Sequence, residues 1–167
     1  MIYDEGVEAD RLLTQCARRL AEAGFRLGGV VQSNPRRPDR RRCDMRLTDL
    51  LGGAEIEISQ DLGGGAGACR LDPGALARAS LLVERAVAAD VDLVIVNKFG
   101  KQEAQGGGLR SALAGALTSE IPVLLGVSSL NLDAFSAFAG GAFTRLEPDQ
   151  DAIVAWCQNA LRSKAGS

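Results

Sequence analysis

Histidine is absent from the 167 residues of this chain. That removes Ser-His-Asp and Cys-His catalysis and every His-ligated metal. The four cysteines, Cys16, Cys43, Cys69 and Cys157, are widely spaced with no C-x-x-C pair, so no zinc framework is written into the chain and the thiols read as reduced. No apolar run reaches the length of a membrane span. The start, Met1-Ile2-Tyr3-Asp4-Glu5, turns acidic at once, unlike a signal peptide, and a cytoplasmic protein without membrane insertion is expected. A dominant charge sign is also missing, because 19 basic residues face 21 acidic ones for a net charge of -2. No global field draws such a molecule to nucleic acid or an anionic membrane, and neither is expected as a partner.

What is present suits one globular domain over residues 1–167, with 46% hydrophobic and 24% charged residues and an excess of glycine, 20 in all. Ile2-Tyr3 reads as the stub of a first strand, followed by the turn Asp4 to Glu8. Ala9 to Ala23 makes an amphipathic helix, with Leu12, Leu13, Cys16, Ala17 and Leu20 on one face. Leu27 to Val31 follows as a strand, completing a βαβ unit with parallel strands. Gln32 to Arg42 breaks the pattern with two prolines and five arginines. Those arginines, Arg36, Arg37, Arg40, Arg41 and Arg42, lack interleaved aromatics and read as a solvated or partner-binding loop. Met45 to Leu50 and Ala54 to Ser59 suggest an antiparallel hairpin.

Beyond the hairpin, a glycine-rich stretch ends at Asp72-Pro73, the cap and first turn of a helix running to about Ala89. Leu93 to Val96 is continuously apolar, as in a strand buried on both faces, and Asn97 opens a polar loop. A helix over Leu109 to Thr118, a strand over Pro122 to Val127, a helix capped by Ser128-Ser129, a last strand over Phe143 to Leu146 and a terminal helix from Asp149 complete the chain. The expected fold is α/β, a three-layer arrangement with helices on both faces of a mainly parallel sheet and a short antiparallel hairpin.

In such sheets ligands sit beyond the carboxyl ends of the strands. Asn97, Lys98, Lys101 and Glu103 fall there. The lysines suit an oxyanion or phosphate, Asn97 a directional hydrogen bond, and Glu103 a base or water-orienting role in an enzyme. The other reading is a solvated loop. Gln60 to Asp72 offers a second anion site, a nest formed by Gly63, Gly64, Gly65 and Gly67 with Arg70 adding a charge, set against a plain flexible connector. Cys69 beside Arg70 reads as a bystander, since no histidine deprotonates it. At the loop after the first strand, where a phosphate-binding loop would lie, Asp4 to Arg11 has one glycine, no lysine and four carboxylates. Carboxylates there repel a polyphosphate by several kcal/mol, and they are expected to cap the first helix and complement its dipole.

Val91 to Gly108, with Ile121-Pro122-Val123-Leu124 and the supporting segments Gly28 to Gln32, Ser59 to Gly63, Cys69 to Pro73 and Trp156-Cys157, resembles a bacterial family of unknown function encoded near molybdenum-transport genes. More remotely, the layout is similar to small P-loop nucleoside-triphosphatases, in which the corresponding strand ends Asp-Glu-x-Gly-Lys-x-Glu. Here Asn97-Lys98 replaces the acidic pair, while Gly100, Lys101 and Glu103 fit. The resemblance implies a P-loop-like fold with degenerate Walker motifs and without the Mg²⁺-holding acids. The expected function is an accessory or oxyanion-binding protein in molybdenum handling, with molybdate or a related oxyanion as partner and no cofactor specified. A divergent nucleotide-binding hydrolase or transferase is the alternative, and a homodimeric regulatory module the third reading.

Overall fold

The computed structural model describes residues 1–35, 45–60 and 70–165. In chain order the elements are β1 (Ile2–Tyr3), α1 (Gly6–Glu22), β2 (Leu27–Ser33), β3 (Arg46–Asp49), β4 (Glu55–Glu57), β5 (Ser59–Gln60), β6 (Arg70–Leu71), α2 (Pro73–Ala88), β7 (Leu93–Phe99), α3 (Lys101–Ala104), α4 (Arg110–Thr118), β8 (Val123–Ser128), α5 (Leu132–Phe138) and α6 (Gln150–Ala165). Among the described residues six strands form one sheet in the order β1-β8-β7-β2-β3-β4. β1, β8, β7 and β2 run parallel, so their carboxyl ends share one side. β3 and β4 extend the sheet as an antiparallel hairpin. β5 and β6 pair separately.

Leu93, Val94, Ile95 and Val96 are all fully buried, which the unbroken apolar run of β7 requires of a strand covered on both faces. Leu93 and Ile95 meet a core that contains Leu13, Cys16 and Leu20 of α1 and Ile153 and Cys157 of α6. Val94 and Val96 meet the other, with Ala75, Ala79 and Val83 of α2 and Ala112, Leu113 and Ala116 of α4. The sheet is thus the middle of three layers. Small alanines on α2 and α4 let those helices lie close to it.

Several sequence expectations change. β7 does not stop at Val96. The ladder with β8 resumes at Phe99↔Val127 after an irregularity, and Phe99 is fully buried against Phe135 and Phe138. Burial of that ring carries the strand three residues further, so Asn97 and Lys98 sit on a strand and not in a loop. The helical turn α3 occupies the rest of the expected loop. Phe143 to Leu146 forms no strand. Ile2 N–H donates to the Leu146 carbonyl at 3.2 Å, but a parallel ladder would next need the N–H of residue 148, and proline has none. The cap of α2 is as expected, with Asp72 Oδ1 accepting from Gly74 N at 2.8 Å. The Arg36–Arg42 loop, Cys43, Cys69 and the glycines at 63, 64, 65 and 67 lie outside the described residues.

Candidate functional site

The carboxyl ends of the parallel strands are closed on the α1 side by a buried polar network. Asp10 lies three residues before Leu13 and seven before Ala17, on the inward face of α1, and is 5% exposed. Its Oδ1 accepts from Asn97 Nδ2 at 2.9 Å, and its Oδ2 accepts from Asn34 Nδ2 at 2.7 Å and from Gln32 Nε2 at 3.4 Å. Gln32 also donates to Asn34 Oδ1 at 3.0 Å. A buried carboxylate is tolerable when such donors replace its water. Tyr3, at the end of β1, feels the same field: its phenol is pushed up to about 12, first by burial and then by the carboxylates of Asp10 and Glu103. Asn97 is 2% exposed, and its Oδ1 is, among the described residues, a buried oxygen without a hydrogen-bond partner.

The expectation that the acids between Asp4 and Arg11 cap α1 is not met, while Glu8 does stand in its first turn, where it complements the dipole. Glu5 stands at the N-cap of α1 without a side-chain cap bond, and Glu8 pairs with Arg11 on the surface. Asp10 turns inward instead. The signal that finds it is its register with Leu13 and Ala17.

Glu103 is 5% exposed and carries a second set of bonds. Its Oε2 accepts from Gly100 N at 2.9 Å and its Oε1 from Leu109 N at 3.0 Å, while its carbonyl accepts from Arg110 Nη1 at 3.1 Å. The first bond is the reach-back half of a capping box, in which a Glu at the third helical position serves the N-cap amide. Both carboxylates near the strand ends thus have each oxygen engaged by a donor.

Lys98, half-buried, and Lys101, exposed, line a cavity of about 180 Å³ together with Gly100, the buried Glu103, and Gln32 and Asn97 of the Asp10 network. Leu71, which follows Arg70 in β6, lines the same cavity. The structure therefore gathers Asn97, Lys98, Lys101 and Glu103 as expected. Neither lysine is ion-paired among the described residues. A larger cavity of about 260 Å³ runs along β8, lined among others by Pro122, Val127, Phe135, Phe138 and Trp156 and by none of these groups. Among the described residues no cluster of three or more His, Cys, Asp or Glu could hold a metal ion.

Comparison with known families matches residues 1–156 to the family described as "Protein of unknown function (DUF2478)". The chain belongs to this family. A DUF2478 chain of this kind is also similar to a curated protein from Bradyrhizobium diazoefficiens named "Molybdenum import ATP-binding protein ModC 2", 45% identical over 156 residues. That match covers 93% of the present chain but only 17% of the relative's length. No solved structure matches the DUF2478 chain.

Proposed function

We propose that this chain is an accessory, anion-binding domain in molybdenum handling that does not hydrolyse nucleoside triphosphates. The supporting observation is the division of chemistry at the strand ends. On the α1 side Asp10 already supplies an anion, hydrogen-bonded to Gln32, Asn34 and Asn97, so a polyphosphate there would meet a buried negative charge. Beside that network two lysines without ion pairs among the described residues border a cavity whose one lining carboxylate, Glu103, is already held by backbone N–H groups, which suits an anion. Asn97 and Lys98 supply no carboxylate for Mg²⁺, and Glu103 spends both oxygens on the backbone. The molybdenum connection rests on the relative's name. Because the matched segment is a small part of that polypeptide, its ATP-binding label does not attach to this segment in particular. A homologous segment within such a protein supports an accessory role beside an importer's ATP-binding machinery.

Calorimetric titration with molybdate and tungstate, against sulfate and phosphate, tests the reading. We expect saturable binding that weakens about tenfold in Lys98→Ala, the loss of one partly desolvated charge pair. Absence of heat for inorganic and organic anions alike removes the binding role. Turnover of ATP or GTP that disappears in a folded Glu103→Gln variant would install the hydrolase in its place.

A further inference from the structure

The walls of the lysine-bordered cavity say more about its ligand than the lysines do. Resting on the reading that Lys98 and Lys101 take an anion, we infer that the ligand is a small organic anion of single-ring size and not a bare inorganic oxyanion. Besides Gln32, Lys98, Lys101, Gln102 and the buried Asn97 and Glu103, the cavity is walled by Leu47, Ile58, Leu71, Leu76 and Leu109. Leu47, Ile58 and Leu109 are buried, whereas Leu71 and Leu76 are half-buried, so among the described residues part of their apolar surface faces the space. A bare tetrahedral oxyanion keeps a strong claim on water at every oxygen and gains nothing from an aliphatic wall. An anion joined to a ring seats its charge at the lysines and its carbon body against the leucines.

Size narrows the class. At about 180 Å³ the cavity is close to the ~150 Å³ of an aliphatic cavity that accommodates benzene. It falls below the roughly 300 Å³ at which drug-sized ligand pockets begin, so a nucleoside triphosphate would not be enclosed. Gln102, exposed at the rim, offers an amide to a polar ring substituent.

Phenyl phosphate and benzoate, each titrated beside inorganic phosphate and molybdate, provide the test on the whole chain. Phenyl phosphate is expected to bind at least about tenfold tighter than phosphate, which requires burial of only about 55 Å² of apolar surface. That advantage should vanish in Leu76→Trp, which fills the cavity but keeps both lysines. Gln102→Trp, at an exposed position, gives the same reading if the first variant does not fold. Equal or tighter binding of phosphate or molybdate overturns the organic-anion inference and leaves the proposed anion-binding role standing. Binding of phenyl phosphate unchanged in both tryptophan variants also overturns it. No binding of any of the four anions removes both.

Discussion

Glu103 accepts two backbone N–H groups that have no other acceptor among the described residues, Gly100 at the start of α3 and Leu109 before α4. Glu103→Ala strands both amides in a buried place, at roughly 1–3 kcal/mol for each unsatisfied group. Urea denaturation should therefore show a loss of a few kcal/mol, and a loss below about 1 kcal/mol would show that water replaces the carboxylate. Gly108, at φ +57, is bound to the same group, since a Cβ there would lie 2.1 Å from Glu103 Oε1. Asn97 carries a prediction of opposite sense. Asn97→Asp restores the acid that the P-loop resemblance expects, but within about 3 Å of Asp10 Oδ1, judging from the present 2.9 Å bond. Like charges so close raise one folded-state pKa above its unfolded value. Stability of the variant is then retained in acid and lost as pH rises through that raised pKa, the reverse of an ordinary paired carboxylate. Thermal melts of the variant between pH 4 and pH 8 check the direction, and a flat profile would refute it. At this scale Lys98, Lys101 and Glu103 were legible from their place after an apolar strand. Asp10 was legible only in part, since its register with Leu13 and Ala17 turns it inward but an acid in the first turns of a helix reads locally as complementing its dipole. Only the amides arriving from β2 and β7 reveal its second use.

Elements read more easily than residues because apolar periodicity is a local property. The β7 run, the α1 face and the Asp72-Pro73 start of α2 all lie where the pattern puts them. The misplaced ends have tertiary causes. Phe99 prolongs β7 through contacts with α5, and the missing N–H at 148 stops pairing along β1. Gly29 shows the same dependence within a strand that sequence reading located. It sits in β2 at φ +99, where an added Cβ would fall 2.0 Å from the carbonyl oxygen of Ile95 in β7. Gly29→Ala should cost on the order of 3 kcal/mol, from forced positive φ plus displacement of the central strand. Chemical denaturation measures it, and a cost under about 1 kcal/mol would mean that β2 relaxes freely.

Across the whole molecule the buried acids make stability sensitive to alkali. Burial pushes the Cys16 thiol up to about 11 and the Cys157 thiol to about 12, with the neighbouring Cys16 adding to the latter, and the Tyr3 phenol rises to about 12. All three are raised above their unfolded values of 9.0, 9.0 and 10.0. Their contribution is fully present below about pH 9 and is lost as pH climbs through 11 to 12. The melting temperature should hold to about pH 9 and then fall, with a shallower fall in the Cys16→Ala/Cys157→Ala pair. A fall of equal steepness would remove the thiols from the effect.

By itself the sequence determined the class of fold, the buried central strand and the neighbourhood of the site, because hydrophobic period, glycine and proline placement and the absence of histidine act along the chain. Tertiary structure decided which carboxylates remain free for chemistry. Asp10 and Glu103 are spoken for by donors 3 to 87 positions away, and the hydrogen bond that Asn97 makes to Asp10 leaves no trace in the residues on either side of its acceptor. It also decided that the two lysines border a cavity with aliphatic walls, since Leu47, the Leu71–Leu76 segment and Leu109 come from three separate parts of the chain and meet only when the sheet and its helices have packed.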